Sequence, residues 1–172
     1  MRKFIAAALM LILLLSITAC SGGLSQNGAG PEKTGQGEAL VAFYQDMLDD
    51  LWNRDKGLNS DIDVLAFDLS QVTNLSEDEK DDLVEAVSKS YGAEGIRGTF
   101  DELSEQGYID KENLRFETGI LITIEITDVT GDSFTFDAKK WRSGTGAYFF
   151  DDCKAVKTED GWSYTIGSEA IS

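Results

Sequence analysis

The stretch Ile120-Leu121-Ile122-Thr123-Ile124-Glu125-Ile126-Thr127 carries isoleucine at every second position. Successive side chains of an extended chain point to opposite sheet faces, so the four isoleucines share one face while Thr123, Glu125 and Thr127 share the other. This alternation predicts a half-buried strand, one side in a core and one toward water. Thr130-Gly131-Asp132 then predicts a reversal into residues 134–141, where Phe134, Phe136 and Ala138 again fall on one face. Residues 147–157 and 162–166 read as two further strands joined at Asp160-Gly161, a dipeptide suited to a tight hairpin turn. Three antiparallel hairpin connections thus close the chain. On this reading Ala147, Phe149, Asp151 and Cys153 point the same way.

Upstream of residue 113 the period is 3.6 rather than 2. Residues 38–55 predict an amphipathic helix: Leu40, Val41, Tyr44, Met47, Leu48, Leu51 and Trp52 lie on one side, Gln45, Asp46, Asp49 and Asn53 on the other, and Gly57 is the expected stop. Residues 62–69 (IDVLAFDL) read as a short strand. Ser76-Glu77-Asp78-Glu79 is a capping box that opens a second helix with the apolar stripe Leu83, Val84, Val87 and Tyr91, and Gly92 is placed for a left-handed end. Thr99-Phe100-Asp101-Glu102 repeats the box and starts a helix of one or two turns that Gly107 ends. Between these helices, residues 94–98 are read as a brief strand. Helices gathered before strands define an α+β fold, with amphipathic N-terminal helices packed on a mostly antiparallel C-terminal sheet and room for one short β-α-β unit.

Outward again, Met1-Arg2-Lys3 precedes an apolar run over residues 4–17, the make-up of a secretory signal peptide. The run is too short to span a bilayer, which takes about 20 apolar residues. Ile17-Thr18-Ala19-Cys20 resembles the bacterial lipobox. The resemblance implies that residues 1–19 are removed, that Cys20 carries a diacylglycerol thioether as the new N-terminus, and that the protein is held to the cell membrane on its extracytoplasmic face. Several acyl chains suffice for durable anchoring, since each buried CH₂ contributes about 0.8 kcal/mol. Residues 20–37 hold the single proline, Pro31, and many glycines, and read as a flexible tether. Residues 38–172 are left as one globular domain. That length is too small for a two-lobed solute-binding protein, whose cleft lies between two domains.

The precursor carries a net charge of −16, and loss of Arg2 and Lys3 makes it more negative still. Such acidity argues against nucleic acid as a partner, because phosphate neutralisation by Lys and Arg dominates that affinity. Histidine is absent, which removes Ser-His-Asp and Cys-His nucleophiles and every histidine-ligated metal site. With Cys20 lipidated, Cys153 has no disulfide partner. No cofactor motif is present, and no metal site is assigned. Asp55, Asn59, Asp61 and Asp63 alternate oxygen ligands, but glycine and glutamate are missing where a calcium loop needs them.

The element order and Asp160-Gly161-Trp162 resemble the cone-shaped nuclear transport factor two-like fold of many secreted bacterial lipoproteins. The runs GTFDELSEQGYIDKENL and KWRSGTGAYFFDDC resemble uncharacterised lipoproteins of Gram-positive bacteria. The second resemblance implies location and no activity.

Two places are candidate sites. Lys140, Trp141, Arg142 and Ser143, with Tyr148, form the one dense basic stretch of an acidic chain. Successive glycine amides, an arginine fork and a stacking ring there could hold a small anion or a partner's acidic group. The competing reading is a hairpin loop whose glycines take positive φ and whose basic residues answer neighbouring acids. No Gly-Lys-Ser/Thr follows, so it is not a P-loop. Asp151 and Asp152, beside two phenylalanines, could supply a general acid or base if a cone-like sheet turned them into a pocket. The favoured expectation is a non-catalytic domain that binds a ligand or protein partner beside the membrane. The alternative is an extracytoplasmic cone-fold enzyme using one of those carboxylates.

Overall fold

The isoleucine strand becomes β3 (Gly119–Thr127), near the middle of a seven-stranded sheet. A computed structural model of the protein describes residues 35–172; the segments read as signal peptide, lipidated Cys20 and most of the tether lie outside the described residues. Around β3 stand β1 (Val64–Gln71), β2 (Glu94–Arg97), β4 (Ser133–Ser143), β5 (Gly146–Thr158), β6 (Gly161–Thr165) and β7 (Ser168–Ile171). The spatial order is β2-β1-β3-β4-β5-β6, and β7 pairs with β5 beyond the end of β6. The pairs from β3 to β6 are antiparallel, as the hairpin dipeptides predict. β1 runs parallel to both β2 and β3. The architecture is α+β with helices ahead of a mostly antiparallel sheet, and β1, β2 and the helix between them are the short β-α-β unit.

Three helices cover this sheet: α1 (Gly35–Asn53), α2 (Glu77–Tyr91) and α3 (Phe100–Glu105). α1 opens at Gly35, inside the stretch read as tether. It lays Leu40, Phe43, Tyr44, Met47, Leu48 and Leu51 on the inward rows of β4 to β6. Phe43 meets Phe134, Phe136 and Tyr164 edge-on with centroids 5.6–5.9 Å apart, a geometry favoured by the ring quadrupoles. α2 packs beside α1 over β1 and β2. Both capping boxes form: Ser76 with Glu79 and Thr99 with Glu102 satisfy backbone N–H groups that the first turn leaves without partners. Gly92 ends α2 at φ 69°, where a side chain would be strained.

The first half of β3 departs from the half-buried expectation. Leu121 and Thr123 on the second face are buried as well as the isoleucines, and only Glu125 and Thr127 beyond them are exposed. The cause is α3, which follows β2 and lies on the opposite side of the sheet from α1 and α2. There Leu103, with Ile109 and Phe116 from the next loop, covers Val64, Ala66 and Leu121 as a second core. Each such buried Val, Leu, Ile or Phe contributes roughly 1.5–3 kcal/mol. Over the β3–β5 half that face carries no helix among the described residues.

Candidate functional site

Inward rows along β4 continue from Phe134, Phe136 and Ala138 to Lys140. Lys140 is 1% exposed, beneath the C-terminal end of α1. Its Nζ donates to Trp52 O at 3.1 Å, Asp55 O at 3.2 Å, Asn59 Oδ1 at 3.0 Å, and also to Arg54 O. Those carbonyls end a helix that stops at Asn53, short of the predicted Gly57. A lysine 81 to 88 residues downstream, in place of a glycine, donates to the carbonyls of the last helical turn and the residues just past it, with its charge at the favourable end of the helix dipole. Burial pulls the ammonium down to about 8, with nearby Asp55 opposing the shift.

Arg142 does the same for the next segment. It donates to Leu58 O at 2.8 Å and Glu117 O at 2.9 Å, and also to Ser60 O. The basic residues therefore answer backbone carbonyls rather than acids. Oxygens of the segment that alternates Asp and Asn do gather round cations, and the cations are these two side chains. Among the described residues no group of three or more Cys, Asp or Glu is placed to hold a metal ion.

The remaining members of the basic stretch do not join them. Trp141 faces the other side of the sheet, edge-on to Phe100 at 5.2 Å. Ser143 bridges to Arg115 at the hairpin mouth. Tyr148 faces the α1 side and its hydroxyl donates to the Glu169 carboxylate, which pushes the phenol up. Gly144 N–H is taken by Leu114 O at 2.9 Å. Gly146 sits close to Ser143, and a Cβ there would lie 2.8 Å from Ser143 Oγ, so the hydroxyl would have to turn aside. Neither glycine has the positive φ expected of such a loop. Lys140, Trp141, Arg142, Ser143 and Tyr148 thus share a strand pair but no common opening.

A β-bulge corrects the reading of β5. Phe136 pairs with Cys153 and Ala138 with Phe150, so Asp137 opposes both Asp151 and Asp152. The extra residue reverses the alternation. Tyr148 and Phe150 face α1 before the bulge, Cys153 and Ala155 after it, while Phe149 and Asp151 lie on the opposite face. Asp152 turns out at φ 53°, its N–H held by Asp137 Oδ1 at 2.8 Å. Asp151 borders an open depression of about 170 Å³ with Asp137 and Lys139. Its carboxyl is raised by partial burial, then by Asp137 and Asp152. Cys153 is fully buried, and burial pushes its thiol up to about 11.

The two widest depressions described lie elsewhere, where the sequence reading placed no site. One, of about 480 Å³, sits at the carboxyl ends of β1 and β2, between Asp68, Arg97 and the first turn of α2. Arg97 bridges Asp81 at 2.8 Å and Glu77 at 2.6 Å, and Lys80 also holds Glu77 at 2.9 Å. Lys80 and then Arg97 draw the Glu77 carboxyl down to about 2. The second, of about 680 Å³, continues along α2 and the outer edge of β2. The signal for the first was the β-α-β unit itself, because open parallel strands leave crevices at their carboxyl ends. Compared with known proteins, the chain matches no family model, no curated protein and no solved structure.

Proposed function

We propose that the protein is a lipid-anchored extracytoplasmic lipoprotein whose α+β domain binds a partner without transforming it. The observation that carries the binding half of this reading is the pair of wide, open depressions along α2 and β2, lined by charged side chains and strand backbone. The wells are open to solvent, and Glu77 and Asp81 in them are held in ion pairs by Lys80 and Arg97, an arrangement suited to docking. An acid–base enzyme instead needs a carboxyl whose pKa is tuned toward the working pH and which lies within hydrogen-bond reach of a bound substrate. Asp151, whose pKa is raised, stands at a shallow, open surface, and Asp152 is exposed.

The anchoring half comes from Ile17-Thr18-Ala19-Cys20 and its resemblance to the lipobox. Membranes from cells making the wild-type chain and the Cys20→Ala variant test it. Wild type sediments with membranes and captures its partner when crosslinked on intact cells; the variant is released in soluble form. Wild type recovered wholly from the cytosol refutes the anchoring half. Turnover of a substrate that Asp151→Asn abolishes refutes the binding half.

A further inference from the structure

The face of β3, β4 and β5 that turns away from α1 holds one row of side chains that the fold does not explain. Glu125 pairs with Asp137, and the bulge sets Asp151 beside Asp137 on the next strand. Three carboxylates thus stand side by side across three strands, although like charges directly opposed destabilise a sheet. Asp137 Oδ1 accepts from the Asp152 N–H at 2.8 Å, which leaves its second oxygen open. The carboxylates of Glu125 and Asp151 take no hydrogen bond and no ion pair among the described residues, and Lys139, one row along, makes no ion pair with any of the three.

With Thr123 and Phe149 these residues line the depression of about 170 Å³. Thr123 is 9% exposed, and its hydroxyl, on this face, has no partner among the described residues. A polar group so deeply buried is normally satisfied, so the depression lacks a hydrogen-bonding occupant. Charge and spacing select it. The lining sets three carboxylates against one ammonium, a surplus of two negative charges. Among the described residues no three carboxylates converge as a metal ion requires. They are strung along the row instead, with cross-strand Cβ atoms about 4.5–5.5 Å apart, and so space their charges much as a short diamine spaces its two ends. The Phe149 ring beside them offers a face that attracts an ammonium and covers methylenes. The volume lies below the roughly 300–1,000 Å³ of drug-sized sites.

We infer that this depression binds a short aliphatic diamine laid across the strands. One ammonium sits between Glu125 and Asp137 and also donates to Thr123 Oγ1; the other sits between Asp137 and Asp151. The site is separate from the two depressions along α2 and β2, and stands whether or not those take a partner.

The test titrates 1,4-diaminobutane into the full chain in detergent micelles at low salt, read by calorimetry and amide chemical shifts. One diamine binds per chain, and the shifts gather at Thr123, Glu125, Asp137, Phe149 and Asp151. Asp137→Asn, which keeps an oxygen for the Asp152 N–H, weakens binding by about fivefold, the upper scale of an exposed ion pair. It melts no lower than wild type, because it relieves opposed like charges, so lost binding is not lost folding. On the wild-type chain, 1-aminobutane, with a single ammonium, binds about fivefold more weakly than the diamine. Glu159→Gln, at an exposed acid beyond β5, leaves binding unchanged. Absence of saturable shifts at those five residues overturns the inference, as does equal affinity for 1-aminobutane. Equal losses in Asp137→Asn and Glu159→Gln overturn it in favour of general attraction to an acidic chain, and displacement of the diamine by calcium at equal concentration overturns it in favour of a metal ion. Cys20→Ala protein binds the diamine as wild type does, so failure of the anchor and failure of this site are separable.

Discussion

Replacing Lys140 by Met removes the buried ammonium while keeping an unbranched side chain one atom shorter. Four oxygens lose a hydrogen bond: Arg54 O and Asn59 Oδ1, and also Trp52 O and Asp55 O, which keep Asn59 Nδ2–H at 2.7 Å and Leu58 N–H at 3.1 Å. An ammonium has three protons, so three of them are satisfied at once. A hydrogen bond to a charged group contributes about 1.5–3 kcal/mol, for a gross loss of several kcal/mol. Against this stands the relief of a desolvated cation, the effect that lowers the Lys140 pKa. Water reaching the helix end recovers part of the rest, which leaves a net loss of about 3 kcal/mol, the scale of leaving buried hydrogen-bond acceptors without a donor. For about 140 residues the unfolding entropy near the midpoint is about 0.3 kcal/mol/K, so Tm falls by about 10 °C. The assay is urea unfolding followed by tryptophan fluorescence, to which Trp52, 5.8 Å from Nζ, is sensitive. The control is Lys139→Met, on the opposite face, with a change within about 0.5 kcal/mol. A Lys140→Met loss below about 0.5 kcal/mol, or an equal loss in the control, refutes the capping role. The pH dependence follows the same group. Native Lys140 releases its proton near about 8, the unfolded side chain near about 10.4. Between those values the unfolded chain binds more protons, so wild-type stability rises relative to Lys140→Met as pH increases through the window.

Glu77→Gln flattens the acid limb of the stability curve: Glu77 is held down at about 2 by Lys80 and Arg97, so its contribution is present above about 4.5 and lost as pH falls toward 2. Urea midpoints measured across that range check it, and an unchanged acid slope contradicts the pairing. Gly95→Ala costs about 1–3 kcal/mol through overpacking, because its Cβ would press on Ser88 and Val84; Ser88→Ala in the same chain recovers part of the loss in thermal unfolding. Ser76→Ala removes the cap of α2 and costs about 1 kcal/mol, read from the same urea curves. Cys153, buried and with its thiol near about 11, reacts with a thiol reagent at neutral pH only as fast as the chain unfolds; labelling faster than unfolding contradicts its burial.

Elements set by local chemistry were legible in the sequence. The isoleucine row of β3, the Ser76 and Thr99 capping boxes, Gly92 and the hairpin at Asp160-Gly161 each follow from interactions within a few residues, and each stands in the fold. Features that depend on distant partners were not. Nothing near Lys140 announces that α1 will end above it, since its acceptors lie more than 80 residues away. The bulge at Asp151 and Asp152 breaks a period of two that the letters YFFDDC do not interrupt, so the alternation put Cys153 and Asp151 on one face. β7 has Ser-Glu-Ala-Ile, without a strand-forming pattern, and exists because β5 outruns β6 and offers it an edge. The depressions along α2 and β2 needed the knowledge that β1 is parallel to its neighbours, which is a property of topology rather than of any motif.

The central claim is a lipidated protein that presents this domain outside the cytosol, and intact mass spectrometry of the chain extracted from native membranes tests it most directly. The account predicts a mature species starting at Cys20 with a diacylglyceryl thioether on that sulfur. A chain that retains residues 1–19, or one whose Cys20 bears a free thiol, contradicts it.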